Sequence, residues 1–378
     1  MSATAPELLH RAPPDHPLPP PIGFPIDAEA ILAKFPAGTK LLSATPSGTS
    51  AWTTTACLHV EFPSGSTQRY FLKCASGDDD DGDDGAGGRA LIEGEYHAMS
   101  ALYAAAPDFV PAPHSWGEFS SSSTTTKSTT TTNKSTTTPT TYYFLLTQFI
   151  PLQPNPHLLP PDPDQLCAQL SSLHRTSASP TGQFGFHATT CQGRTAQAVR
   201  GWHASWAACF GEMLAHAVRL DAAANGRWEG LERVWRRVEG MVVPRLVGAV
   251  EREARGARGG IRPCLVHGDL WEGNVGTAVG GGVYVFDGAS LYAHHEMEVG
   301  GWRCAYNKIH AEVYTRTYLR YMGPSEPVEE WDDRNRIAYE DMYYLVDKYA
   351  PFPHGEGPPR LSADERVSLS AERDHTVA

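Results

Sequence analysis

The run His267-Gly268-Asp269-Leu270-Trp271-Glu272-Gly273-Asn274, followed by Asp287, places two acids and an amide at spacings suited to phosphoryl transfer from Mg-ATP. In that chemistry one Asp accepts the proton of the attacking hydroxyl. An Asn a short step further on holds a metal, and a second Asp holds metal against the nucleotide phosphates. Asp269 and Asn274 have the D-x-x-x-x-N spacing, so Asp269 reads as the catalytic acceptor. Asn274 and Asp287 read as ligands for Mg²⁺, which prefers hard oxygen donors. His267 reads as a residue that orders the turn by hydrogen bonds. His294, His295 and Glu296 form a second polar group, read as packing or support rather than as a metal site.

These residues need elements that bring them together. Val275 to Thr277, the glycines 280 to 282 and Val283 to Phe286 read as a hairpin, which would return Asp287 to the side of Asn274. Upstream, Thr53 to Phe62 alternates like a strand, Pro63 to Ser66 is a turn, and Arg69 to Cys74 is a second strand carrying Lys73. Arg89 to Ala106 reads as a helix stopped by Pro107 and Pro111. A Lys at the end of an apolar strand is costly to bury alone, and Glu95 on that helix would supply the partner. Glu93 is the alternative. Residues two apart on a helix face different ways, so only one of them can serve. In protein kinases such a Lys–Glu pair holds the α- and β-phosphates. Ser47, Gly48 and Thr49 precede the first strand, where backbone N–H groups could cover phosphates. Ser115 to Phe119 and Tyr142 to Ile150 read as two further strands, and Gln148 and Ile150 lie where a hinge would offer backbone groups to adenine.

The 378 residues are 41% hydrophobic and include nine Trp, enough for a substantial core. A net charge of −12 argues against nucleic-acid partners and anionic membranes, which require a basic footprint. No stretch has the length and apolarity of a membrane span, and the Pro-rich start lacks a secretion core. The seven Cys show neither a C-x-x-C pair nor zinc spacing, which suits reduced thiols in the cytoplasm. An Asp/Gly run near 77–88 and a Ser/Thr tract near 120–141 cannot bury enough apolar surface to order themselves and read as disordered insertions. Helical patterns follow at Gln165 to His174, Gly201 to Leu220, Gly230 to Arg255 and Val299 to Tyr321. The expected fold is α+β, bilobal and protein-kinase-like. Its parts are a disordered arm at 1–25, an N-lobe of antiparallel sheet with one helix at 26–150, a larger helical C-lobe carrying the catalytic hairpin at 151–354, and a disordered tail at 355–378.

Leu265 to Asn274 resembles the LLHGDLWSGN motif of the fructosamine-3-kinase and ketosamine-3-kinase family, relatives of the aminoglycoside phosphotransferases. Phe184-Gly185-Phe186-His187, with Gln197 and Trp206, is similar to that family's FGF…Q…W stretch. Phe286-Asp287-Gly288-Ala289 stands where the family has I-D-P-A, and Tyr292 to Glu296 resembles its Y-G-H-x-E. The departures are Gly288 for the usual Pro, Ala293 for Gly, and no Asn following Gln197. The resemblance implies ATP- and Mg²⁺-dependent phosphorylation of a sugar hydroxyl on ketoamines, either small molecules or glycated proteins, with deglycation as the outcome. In it Asp269 takes the proton, Asn274 and Asp287 place Mg²⁺, and Lys73 positions the phosphates. The departures lie on the substrate side and leave open a choline- or aminoglycoside-type kinase. An irregular loop at Ser47 to Ser50 leaves open an inactive kinase-fold binding protein.

Overall fold

A computed structural model describes residues 27–48, 50, 52–77, 87–121, 140–155, 157, 159–256, 261–304, 307–337 and 342–352. The expected arm at 1–25, Thr49, positions 78–86 and 122–139 of the two insertions, and the tail lie outside these residues. Helix α1 (Ala28–Leu32) is capped by Asp27, whose carboxylate accepts from the N–H groups of Glu29 and Ala30 at 3.0 Å. Strands β1 (Lys40–Pro46), β2 (Thr54–Glu61) and β3 (Thr67–Ser76) lead to α2 (Gly88–Ala105), then β4 (Pro113–Ser121) and β5 (Thr140–Gln148). The five strands form one antiparallel sheet in the order β1-β2-β3-β5-β4. Neither α1 nor β1 was legible in advance, because β1 is mostly exposed and lacks apolar alternation. β4 and β5 run into the Ser/Thr tract, with Ser120 opposite Thr141 and Ser121 opposite Thr140. Thr is a good strand former, so the pairing extends further than composition suggested.

The sheet has two faces, and strand alternation assigns each residue to one of them. Leu58, Val60, Tyr70, Leu72, Cys74, Phe144 and Leu146 pack with Ile31 and Phe35 on the α1 side. Ala75 and Leu145 face the other way and pack with Ile92 of α2. Lys73 is in phase with Ala75, so it points to the α2 side although it sits in an apolar strand.

After β5 the chain forms α3 (Pro163–Thr176), capped by Asp162 with Pro163 at its first position. Strand β6 (Phe184–Phe186), a two-residue ribbon β7 (Cys191–Gln192) and β8 (Thr195–Ala196), and strand β9 (Gly201–His203) follow. The expected helix from Gly201 therefore begins as a strand, and α4 spans Trp206–Asn225. The Gly230 to Arg255 pattern becomes α5 (Glu229–Arg237), a π-helical turn at Val238–Val242, and α6 (Val243–Gly256). Pro244 explains the turn. Its ring opposes the carbonyl four residues back, at Gly240, and wider π hydrogen bonding around that residue relieves the clash.

Strand β10 (Cys264–Val266) precedes the hairpin of β11 (Val275–Thr277) and β12 (Val283–Val285), and β13 (Leu291–Ala293) follows it. A four-stranded sheet has the order β10-β13-β6-β9. The expected helix Val299 to Tyr321 is broken into α7 (Glu296–Gly300), 3₁₀ turns at Gly301–Arg303 and Lys308–His310, and α8 (Glu312–Met322). Adjacent glycines at 300 and 301 weaken helix continuation there. Helices α9 (Trp331–Arg336) and α10 (Met342–Tyr349) end the described chain.

The chain divides into two compact units, Met1–Trp202 with Pro263–Gly323, and His203–Arg262 with Pro324–Ala378. The five-stranded sheet, α3, the β11–β12 hairpin and α8 lie in the first. Helices α4, α5, α6, α9 and α10 make the second. None of the described helices is long and apolar enough to cross a membrane.

Candidate active site

β10 and β13 pair antiparallel, Val266 opposite Leu291, so the segment between them leaves and re-enters the sheet at one point. The Ala289 N–H donates to the His267 carbonyl at 2.9 Å and closes that neck. Within the segment, β11 and β12 pair in register from Val275–Val285 to Thr277–Val283, and the Phe286 N–H donates to the Asn274 carbonyl at 3.0 Å. The hairpin thus delivers Asp287 next to the end of the Asp269–Asn274 loop. Gly268 has φ +83°, and a Cβ there would lie 2.3 Å from the Ala289 carbonyl oxygen, so only Gly fits this tight crossing. A Cβ on Gly273 would meet the Trp271 ring at 2.4 Å, which accounts for a small residue two places after that Trp.

Asp269 sits at the centre of the loop. The Asn274 amide nitrogen donates to the Asp269 main-chain carbonyl at 2.8 Å and to its carboxylate at 3.0 Å. With both N–H groups turned to Asp269, the amide oxygen points away from it. Burial pushes the Asp269 carboxyl above its ordinary range, against the lowering pull of His267 and of the Asn274 amide. The Asp269 N–H lies 3.3 Å from His267 Nδ1, and His267 Nε2 lies 2.9 Å from the Phe286 carbonyl. His267 therefore links the loop to the residue before Asp287, which is the ordering role its neighbours implied.

Lys73 lies between two carboxylates. Its ammonium donates to both oxygens of Glu95 at 2.9 Å and to Asp287 Oδ1 at 2.7 Å. The Lys73 and Glu95 side chains are 7% and 10% exposed, whereas Asp287 is 42% exposed, so one end of the cluster opens to solvent. The choice of Glu95 over Glu93 follows from helical phase. Ile92, Glu95, Met99 and Leu102 form the buried stripe of α2, while Glu93 lies outside it and pairs with Arg89 at 3.0 Å. Burial pulls the Lys73 pKa down, but the two carboxylates outweigh it and hold the ammonium charged. Burial raises Glu95, and Lys73, whose charge is shared with Asp287, only partly offsets that. Asp287 takes φ +60°, a left-handed conformation that Asp tolerates better than most residues.

The other expected site residues are farther along the sheet. Ser47 and Gly48 form the turn between β1 and β2, with the Ser47 N–H donating to Thr55 O at 3.1 Å and Gly48 at φ +81°. Gln148 ends β5, and its N–H donates to the Ala112 carbonyl at 2.8 Å, with Phe149 and Ile150 following the strand. The ligand atoms of His294, His295 and Glu296 lie within 4.8 Å of one another. His295 Nδ1 lies 3.0 Å from the Tyr318 hydroxyl, so this ring is engaged in packing.

Several side chains shape the loop in ways the sequence did not show: Gln197 and Glu272 stood out only as motif residues, and Gln192, Trp302 and Glu298 not at all. Gln192 donates to the Gly268 carbonyl at 2.6 Å and Gln197 to the Ala289 carbonyl at 2.9 Å. Trp302 donates from Nε1 to the Leu270 carbonyl at 3.0 Å, and the buried Glu272 accepts from the Lys308 N–H at 2.8 Å. Glu298 accepts from the His267 and Gly268 N–H groups. Their common signal is a polar side chain paired with main chain far away in sequence, which no local pattern carries. A Cβ added at Gly288 would lie 2.9 Å from Leu102 Cδ1, so α2 fills the space beside this residue.

An antiparallel sheet with its helix, a Lys–Glu–Asp cluster and an Asp/Asn loop define the α+β kinase-like class. A crystal structure from Thermobifida fusca YX-ER1, provisionally called a fructosamine-3-kinase, shares the fold with a TM-score of 0.54 at 18% identity, covering 94% of this chain and all of that one. A sequence profile of the fructosamine kinase family matches residues 44–358, and the chain belongs to that family. Similar proteins include a chloroplastic protein-ribulosamine 3-kinase of Oryza sativa subsp. japonica, 29% identical over 195 residues, and that of Arabidopsis thaliana, 24% identical over 269 residues. These alignments cover 51% of this chain and 51% of the rice protein, and 71% and 69% for Arabidopsis. A ketosamine-3-kinase of Mus musculus is 31% identical over 139 residues, 35% of this chain and 41% of the mouse protein. The chain thus spans about half the length of the rice relatives it matches.

Proposed function

We propose that the protein is an ATP-dependent kinase that phosphorylates a sugar hydroxyl of ketoamines, such as fructosyl- or ribulosyl-lysine, free or on protein, and so starts their deglycation. The observation that carries this reading is the 2.7 Å contact between Lys73 and Asp287, which ties the sheet to the catalytic segment in a kinase-family chain. Residues 26–150 would hold the nucleotide and residues 151–354 the acceptor.

Asp269 accepts the proton of the attacking hydroxyl, and its raised pKa makes it a stronger base than an exposed Asp. Lys73 anchors the α- and β-phosphates while Glu95 holds its ammonium in place. Asn274 and Asp287 fit Mg²⁺ by donor type, because the amide oxygen is turned away from Asp269 and Asp287 is half exposed. Mg²⁺ bound there supplies charge neutralisation on the phosphates. The turn at Ser47 and Gly48, together with Thr49, would cover the phosphates, and the chain around Gln148 and Ile150 would face adenine. What these residues contribute is alignment and electrostatics.

The test is ADP release on Mg-ATP with fructosyl-lysine and ribulosyl-lysine, beside choline and aminoglycoside acceptors, with mass spectrometry of the phosphorylated product. Turnover on a ketoamine is expected; brisk turnover only on another alcohol would overturn the substrate class. The seven free thiols suit a reducing compartment, and we assign the chain to the cytoplasm. A tagged chain recovered in chloroplasts, as the plant relatives' names suggest for them, would correct that.

A further inference from the structure

We propose that Glu298 is the positioning residue of the catalytic loop, an inference that rests on the kinase reading of Asp269. Glu298 lies on α7, outside every motif that suggested the chemistry, and is 4% exposed. One carboxylate oxygen accepts the His267 N–H at 2.5 Å, and the other accepts the Gly268 N–H at 3.1 Å. These are the N–H groups of the two residues immediately before Asp269. Gly268 is held at its carbonyl as well, in the peptide that joins it to Asp269, since Gln192 donates there at 2.6 Å.

The grip is needed because the loop is locally unfavourable. Gly268 is left-handed and crowded by the Ala289 carbonyl, and two buried N–H groups there have no strand partner to satisfy them. A carboxylate can accept both at once, and charge-assisted bonds to main-chain N–H groups are the strong ones. An amide offers one acceptor oxygen and places its own N–H groups against the second donor. The site therefore requires a charged acid rather than any polar residue.

A buried chain of polar groups supports Glu298 from behind. His174 Nε2 lies 3.5 Å from its carboxylate, and His174 Nδ1 lies 2.8 Å from the Tyr318 hydroxyl. The same hydroxyl lies 3.0 Å from His295 Nδ1. Burial pushes the Glu298 carboxyl up, yet His174 and His267 outweigh it and hold the group below its ordinary range. His295 thus acquires a use: it closes the rear of the network that aims Asp269.

The experiment has two arms. In the wild-type protein, residue-resolved amide hydrogen exchange should find the His267 and Gly268 N–H groups strongly protected. Exchange at the rate of an exposed loop would overturn the proposal without any variant. In the second arm, E298Q should lower kcat by about 10- to 100-fold, with the KM for Mg-ATP within about twofold of wild type, and E298D should recover part of kcat. An unchanged kcat in folded E298Q overturns it, as does E298D no better than E298Q. Should E298Q not fold, the wild-type exchange decides. A wild type inactive on every ketoamine would sink the substrate reading and leave the exchange test of Glu298 intact.

Discussion

The two units handle buried charge differently. In the unit that contains the sheet and hairpin, one ammonium, Lys73, is set against two carboxylates, Glu95 and Asp287, and a raised Asp269 stands in the adjoining loop. In the other unit two buried acids are each matched with one base. Arg245 makes a two-pronged bond to Glu330, one prong at 2.9 Å, and Lys348 reaches Asp333 at 2.5 Å. A matched pair is complete by itself and serves the fold. A cluster with a surplus carboxylate and one end open to solvent has the charge to receive a cation, as the proposed function requires. The imbalance therefore marks the chemical site more reliably than the number of charges does.

The comparison can be broken in order of effect. Asp269→Asn should lower kcat by at least about 10³-fold while nucleotide affinity and melting temperature hold, because the change is nearly isosteric. A variant that keeps a tenth of the activity would remove Asp269 from the role of proton acceptor. Lys73→Met should reduce kcat/KM for Mg-ATP by about 10²-fold and destabilise the fold by about 3 kcal/mol, since it leaves two facing carboxylates without their cation. Steady-state kinetics with denaturant titration checks both halves, and loss of stability with full activity would make the cluster purely structural.

Changes in the second unit should be smaller and of another kind. Glu330→Gln should cost about 1 kcal/mol in stability, because Arg245 is itself half exposed, and leave kcat within about twofold. A large drop in kcat there would erase the distinction between the units. The smallest effect expected is a pH dependence. Burial pushes Asp333 up, but bonds from Lys348 and Tyr349 win and hold its carboxyl below the ordinary range. A depressed folded-state pKa stabilises above the unfolded value, near ~3.9, and that contribution is lost as pH falls through the folded value. Asp333→Asn should therefore lower stability modestly near pH 7, where the contribution is fully present, and the difference from wild type should shrink below about pH 4. An unaltered acid limb in thermal melts across that range would mean the pair contributes nothing.

Legibility varied with the range of the cause. β2, β3, α2 and β5 were readable because alternation and helical phase are written in neighbouring residues. The hairpin from Val275 to Val285 was readable because glycines at 280–282 leave little but a turn. The strand at Gly201–His203 was not, because sheet pairing overrode local helical composition there, and the break after Val299 was passed over although Gly300 and Gly301 weaken the helix locally. Gln192 and Glu298 escaped notice, and Gln197 was noted as a motif residue without its role, because each acts on main chain remote from it in sequence.

By itself the sequence pointed to a reaction class, since Asp269, Asn274 and Asp287 have the spacing of phosphoryl transfer, and the surrounding Trp271 and Gly273 narrowed the family. It also determined that Lys73 would need an acid, since an apolar strand cannot hold a lone ammonium. Only the tertiary structure decided that the acid is Glu95 with Asp287 as a second partner, and that Glu298 holds the loop from behind. The physical reason is that spacing along the chain limits which chemistry is available. Desolvation and main-chain hydrogen bonding are settled only when distant segments close around the same atoms.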